Sequence, residues 1–247
     1  MQSDNPTAAI LVIGDEILSG RTREGNAHHL AQILSATGFD LREIRVVPDV
    51  HDTIVAAIRA LDRSLGGACD LLFTSGGIGP THDDITADAV ADAHGTTLEI
   101  HAQARALLAA RCERMGLELT ENRLRMARIP VGATLIDNAV SAAPGFSIGG
   151  THSMAGVPQV FRAMVDWLIP RLPGGRPVQS ASVEVRRGES DVAEGLREVA
   201  AAFPDLSLGS YPYNTAEGGW GTHLVVRGLD AARVDEAMAA LRARLAL

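Results

Sequence analysis

No lysine occurs among the 247 residues; all 22 basic side chains are arginine. A Schiff base, a lysine general base and the phosphate-binding lysine of a P-loop are therefore excluded, whatever the fold. Positive charge is scarce as well, since 30 acidic residues outnumber the arginines and leave a net charge of −8. Binding to a phosphate backbone needs surplus positive charge, so a nucleic-acid partner is not expected. Cysteine is nearly absent. Cys69 and Cys112 form no CxxC pair, which argues against a zinc centre and for buried thiols in a reducing compartment. No apolar run reaches membrane-spanning length and residues 1–7 are polar. Neither a membrane anchor nor a signal peptide is expected, and the reading is a soluble, cytoplasmic protein.

What is present suits a sizeable core: 46 % of the residues are hydrophobic, enough for one large domain or one with a smaller companion. Residues 8–14, AAILVIG, form a continuous apolar run that stops at glycine, the pattern of a buried parallel strand. A helix is predicted over 24–38, a strand over 41–47, a helix over 52–65 and a third buried strand over 70–75. A helix over 83–94 follows. Strands alternating with amphipathic helices imply a mostly parallel sheet covered on both faces, a three-layer α/β sandwich. Further helices are expected at 101–115 and 120–128. Three short apolar pieces, at 133–136, 145–148 and 152–156, suit strands or turns at the sheet's edge, before a strong helix at 158–169. Residues 173–177, PGGRP, read as a linker. Beyond it the pattern is strand (181–185), helix (190–202), strands (206–211 and 222–227) and helix (231–245), a small α+β (βαββα) domain. The expected division is 1–172 and 173–247.

The chemistry concentrates in DLLFTSGGIGPTHDDITADAV, residues 70–90. A buried strand delivers Ser75, Gly76, Gly77 and Gly79 to the sheet's carboxyl edge, and Pro80 and Thr81 turn the chain into a helix whose first turn is expected to carry Asp83 and Asp84. Small residues let a ligand approach the backbone, and free N–H groups attract anions. Two carboxylates beside an anion site should repel phosphate unless a divalent cation bridges them, or unless they bind ligand hydroxyl or ring N–H groups. The alternative is that they merely cap the helix. The string is neither a Walker A loop nor GxGxxG, and it lacks GxSxG, so Ser75 reads as a ligand contact rather than a nucleophile.

Two other strand ends should face the same crevice. Gly14, Asp15 and Glu16 follow the first strand, with Ser19 and Asn26 after them, and Asp49 follows the second. Arg21 and Arg23 are the nearest cations by sequence. His82 lies in the glycine-rich turn, within reach of a ligand. Adjacent His28 and His29 diverge on a helix and do not share a metal. Arg186, Arg187 and Glu189 read as an exposed strand end, and Trp220 as a hairpin residue covering the small domain.

GGIGPTHDDIT resembles the molybdopterin-binding (MoaB/Mog-like) domain, in the branch of the CinA family shared with the N-terminal domain of eukaryotic FAD synthases. VIGDEILSGRTREGNAHHLAQIL, VVPDV, NRLRMARIPVGATLIDNAVSAAPGF and MAGVPQVFRAM extend the match across nearly all of residues 8–172. VEVRRGESDVAEGL, PDLSLGSYPY and GTHLVVRG resemble the small domain that follows in these proteins. The usual LPGVPxEM stands here as MAGVPQVF, with Ala155 for proline and Val160 for an acid; the usual GTAPG stands as SAAPG. Where fuller CinA relatives continue into an amidohydrolase domain, this sequence ends, so nicotinamide mononucleotide deamidation is not expected.

The resemblance implies a pterin or dinucleotide bound across the strand ends, and a homo-oligomer. It adds Thr86, Pro144, Gly145, Gly156 and Pro158 to the ligand set. Full-length CinA relatives hydrolyse ADP-ribose with a divalent metal and potassium, and FAD-synthase relatives hydrolyse FAD; Mog-like relatives adenylylate molybdopterin. The first expectation is a pyrophosphatase using Mg, Mn or Co held by Asp83 and Asp84, with Asp49 as a third catalytic acid. Molybdopterin binding with adenylyl transfer is the second, and a non-catalytic nucleotide or pterin sensor the third. The missing lysine favours a metal, because a phosphate in this crevice must otherwise rely on backbone N–H groups, histidine or arginine.

Overall fold

The computed structural model describes residues 5–215 and 218–247. It divides into two compact units, Asn5–Gly175 and the part beginning at Arg176, each with its own core.

The elements of the larger unit follow in chain order. Strand β1 (Thr7–Ile13) leads to a short turn of helix, α1 (Asp15–Leu18), then α2 (Asn26–Ala36), β2 (Asp40–Val47), α3 (His51–Leu61), β3 (Leu71–Ser75) and α4 (Thr86–Ala93). Next come β4 (Leu98–Ile100), α5 (Ala102–Arg114), α6 (Glu121–Leu124), β5 (Arg128–Pro130), β6 (Thr134–Ile136), β7 (Gly145–Ile148), β8 (Thr151–Met154) and α7 (Pro158–Leu168).

The main sheet has the order β2-β1-β3-β8-β7-β6. Its first four strands are parallel, β7 runs against β8, and β6 runs against β7. Both faces are covered, as the alternation along β1 requires. Ala9, Leu11 and Ile13 pack with Ile54, Ile58 and Leu61 of α3 and Val90 of α4. Ala8, Ile10 and Val12 pack on the other side with Leu30 and Leu34 of α2 and Phe161, Met164 and Val165 of α7. Period-2 side chains therefore read as one unbroken apolar run, because neither face meets water. The three-layer α/β sandwich is the fold.

Three local expectations are corrected. The segment at 152–156 is no edge piece: β8 pairs with β3 inside the sheet, in register from Leu72 opposite Thr151 to Ser75 opposite Met154. The helix expected from residue 83 starts at Thr86, so Asp83 and Asp84 lie in the turn before it and Asp88 is the acid of its first turn. Residues 63–65, expected as the end of a helix, form a separate 3-10 turn after the helix stops at Leu61. The strand β4 was also unforeseen; it pairs with β5 in a two-stranded ribbon.

The smaller unit comprises β9 (Gln179–Val185), α8 (Glu189–Ala202), β10 (Ser207–Asn214), β11 (Trp220–Gly228) and α9 (Ala231–Leu245). Its antiparallel sheet has the order β10-β11-β9, and Leu224 and Val226 pack with Val192, Val199, Val234 and Leu241 of the helices. Trp220 starts β11 opposite Asn214 and is 55 % exposed, so it does not cover the domain as expected. Glu189 opens α8 instead of closing a strand.

Candidate functional site

The strand order reverses at β1, with β2 on one side and β3 on the other. In open parallel sheets a ligand crevice forms outside the carboxyl ends at such a point. A cleft of about 540 Å³ lies there. Its lining draws Ile13, Gly14 and Glu16 from beyond β1, Asp49 from beyond β2, and Gly76 to Thr81 with Asp83 and Asp84 from beyond β3. Ala155, Gly156 and Val157 come from the β8–α7 turn and Val160 from the first turn of α7, and Met126, Ser141 and Ala143 complete the wall.

The glycine loop has a geometric reason. Gly76 has φ +110° and Gly77 φ +69°, backbone regions that side chains rarely enter. A Cβ on Gly76 would stand 2.2 Å from the Ile13 carbonyl oxygen, so the β1 and β3 ends can meet only through glycine. Thr86 fixes the loop from behind: its Oγ1 donates to the Gly76 carbonyl at 3.0 Å and its N–H to the Gly77 carbonyl at 3.0 Å. Asn26 does so from the other face. Its Nδ2 donates to Ser75 Oγ at 2.9 Å and to the Gly156 carbonyl at 2.8 Å, joining α2, β3 and the β8–α7 turn beneath the cleft. Thr86, Asn26 and Ser75 are buried and support the site without lining it.

Asp84 is engaged by its own loop. Its Oδ1 accepts the Gly79 N–H at 2.7 Å; its Oδ2 accepts the Thr81 N–H at 2.7 Å and the Thr81 hydroxyl at 2.6 Å. The Gly76 N–H goes to the Met154 carbonyl at 3.1 Å. Of the three glycine N–H groups expected to hold a phosphate, that of Gly77 alone lacks an acceptor among the described residues. Asp83 shares the Thr81 hydroxyl at 2.5 Å, and this bond holds its carboxyl below the usual carboxylate range.

Across the cleft, Asp49 Oδ2 accepts the Asp15 N–H at 2.8 Å. Burial pushes the Asp49 carboxyl above its ordinary value; that hydrogen bond opposes the rise, and the charges of Asp15, Glu16 and Asp83 add to it. Four lining acids, Glu16, Asp49, Asp83 and Asp84, thus share one space, with Asp84 tied to its own loop. No three His, Cys, Asp or Glu side chains among the described residues stand close enough to hold a metal ion.

Several expected ligand residues lie elsewhere. Asp15 contributes its backbone, and Ser19 is the exposed C-cap of α1. Pro144 lines a small cavity behind the glycine loop. Gly145 is buried at the start of β7, opposite Ile136. Pro158 is the first residue of α7. Arg21 and Arg23 are exposed and do not line the cleft, so they supply no fixed cation. His82 points into solvent with a side-chain exposure of 99 %. The two segments that depart from the family pattern, SAAPG and MAGVP, bring Ser141, Ala143 and Val157 to the cleft wall; Met126 was missed, for an apolar residue carries no chemical signal of its own. Asn138, buried, orders the stretch before β7. Its Oδ1 accepts the Val140 and Ser141 N–H groups and its Nδ2 donates to the Ala143 carbonyl, folding residues 138–143 against the cleft.

Residues 9–174 match the family model described as a probable molybdopterin binding domain. The chain belongs to the molybdopterin-binding domain family. Residues 177–247 match the middle domain of FAD synthase. A protein of Caldivirga maquilingensis is 39 % identical over 199 residues, covering 78 % of this chain and 76 % of that one. One of Aeropyrum pernix is 34 % identical over 225 residues, covering 87 % and 82 %. Among solved structures, CinA of Thermoplasma acidophilum, described as of unknown function, is 35 % identical with a TM-score of 0.59, covering 66 % of this chain and 96 % of that one. The molybdopterin-binding family member is therefore CinA-like in its larger unit. No helix among its described residues is long and apolar enough to cross a membrane.

Proposed function

We propose that the cleft binds a nucleoside diphosphate-linked ligand such as ADP-ribose or FAD and hydrolyses its pyrophosphate bond. One observation carries this reading: Glu16, Asp49 and Asp83 reach a single glycine-floored cleft from beyond three adjacent strands. Acids so placed are unfavourable beside a bare phosphate and favourable beside one that carries a divalent cation. The pairing of a molybdopterin-binding domain with a FAD synthase middle domain favours a flavin or adenine dinucleotide.

The protein's own donors do not fit a resident metal centre. Asp84 already accepts three hydrogen bonds from Gly79 and Thr81, and no three candidate ligands stand together among the described residues. The cation, whether Mg, Mn or Co, belongs to the diphosphate it arrives with, as is usual when one or two carboxylates share a magnesium ion with substrate phosphates. Asp83 and Glu16 receive the charged end of the ligand. The Gly77 N–H donates to a phosphate oxygen. Asp49, with its raised affinity for protons, takes one from the attacking water as the oxygen–phosphorus bond forms and the second phosphate leaves. Asp84 holds the loop in shape and acts only through it.

The test is AMP release by the full chain from ADP-ribose or FAD, with each metal in turn and with added potassium. Asp49→Asn should lower the rate by about 100-fold or more, while His28→Ala, exposed on α2, should leave it unchanged. No AMP release, together with binding of molybdopterin, would replace this reading with pterin binding or adenylyl transfer, which the family description favours. No turnover and no binding of either ligand would end both.

A further inference from the structure

The cleft is not uniform along its length, and the sheet order says why. Across the carboxyl edge the strands run β2, β1, β3, β8, β7. At about 4.8 Å per strand the five ends span roughly 19 Å, the scale of a nucleotide with its diphosphate. Residues beyond β2 and β1 supply Asp49 and Glu16, both acids. Residues beyond β8, and those just before antiparallel β7, supply Ala155, Gly156, Val157, Val160, Ala143 and Ser141, of which Ser141 alone has a polar side chain and none is charged. Ile78 from the glycine loop and Met126 extend the apolar wall.

Val160 is the third residue of α7, where an acid commonly caps a helix. The first turn of α7 holds no acid and its N-terminus has no side-chain cap. Val160 is 8 % exposed and packs into the core beneath the cleft, whereas Val157 is 61 % exposed at the rim. An exposed branched side chain at a cleft mouth is unfavourable in water, and a ligand face laid over it removes that cost. Methionine adapts its shape and makes favourable sulfur contacts with rings. An aliphatic chain would also fill such a wall. A ring suits it better, because a flat ligand covers Met126 and the valines together while its heteroatoms stay at the edge, near the Ser141 hydroxyl.

We propose that the β8–β7 end of the cleft, walled by Ile78, Met126, Ala143, Val157 and Val160, seats one flat heteroaromatic ring of the ligand, so that its phosphates lie toward β1 and β2. The proposal rests on the cleft being a ligand site, and it determines the ligand's direction. Hydrolysis is not required for it.

Equilibrium binding to the full chain separates the two ends. FMN and AMP carry a ring; magnesium pyrophosphate carries none. Val157→Asp changes an exposed residue and leaves the core intact, and Met126→Glu tests a second residue of the same wall. Each should weaken FMN and AMP binding at least tenfold and change magnesium pyrophosphate binding less than twofold. The reverse should hold for Glu16→Gln. Equal losses for all three probes, or no loss for FMN and AMP, would overturn the assignment even if AMP release is observed. Ring-selective losses in a protein that releases no AMP would sustain it while ending the hydrolase reading.

Discussion

Asp49 illustrates how one side chain combines a proposed catalytic role with a destabilising one. Its carboxyl binds protons more tightly in the folded chain than the ordinary value of 3.8 allows, because it is partly buried among other acids. A raised carboxyl pKa means that stability falls as pH rises from 3.8 through the folded value, and stays lower above it. Asp49→Asn keeps an acceptor for the Asp15 N–H and removes the charge. It should therefore raise the thermal midpoint at pH 7, with the difference vanishing near pH 3, while AMP release is lost. Equal midpoints at pH 7 would show that the acids do not strain one another. Sequence alone placed Asp49 at a strand end. Both Asp83 and Asp84 line the cleft. The sequence did not distinguish Asp84, which holds the loop through three hydrogen bonds, from Asp83, which has one from Thr81, because two adjacent aspartates look alike until their partners are known.

Among elements, the β3–α4 loop shows what glycine is for. Gly76 and Gly95 both have positive φ, +110° and +65°. An added Cβ at Gly95 meets open space, whereas at Gly76 it meets the Ile13 carbonyl. Gly95→Ala should cost about 1 kcal/mol from backbone strain alone. Gly76→Ala should cost about 2 kcal/mol more and abolish ligand binding, since β1 and β3 must part to admit the methyl group. Urea unfolding of the two variants makes the comparison, and equal costs would remove the close approach as the reason for glycine. The strands that build this edge were legible because buried parallel strands are short and apolar on both faces. β8 reads as an edge piece because its apolar stretch is short and set off by glycines. All four of its residues are nonetheless buried, and only its pairing with β3 requires that.

For the whole molecule, acid stability depends on groups remote from the cleft. His152 on β8 stacks against Phe73 at 5.2 Å, shares a hydrogen bond with Ser147 at 2.8 Å, and has Nε2 buried without a partner. Burial pushes its pKa down to about 4, and burial lowers that of His94 as well, against the charge of Asp62. A depressed histidine pKa means the unfolded chain takes up the proton first. Stability is then complete above pH 6.5 and declines as pH falls toward 4, by about 3 kcal/mol from His152. His152→Phe should flatten that decline in the unfolding of the larger unit, read as thermal midpoint against pH. A profile unchanged by the substitution would assign the acid sensitivity elsewhere.

The sequence by itself determined the layered α/β architecture, the need for glycine after the third strand, and the absence of lysine from the loops at the strand ends. Those follow from local rules: side-chain period, backbone freedom and residue chemistry all act within a few positions. The tertiary structure decided which strands are neighbours, and with that which acids share a space and which apolar residues face them. It also engaged Asp84 through both carboxyl oxygens with Gly79 and Thr81, and Asp83 through one with Thr81. Residues 49, 83 and 160 become one surface only when parallel strands bring their carboxyl ends together, and no local pattern carries that adjacency.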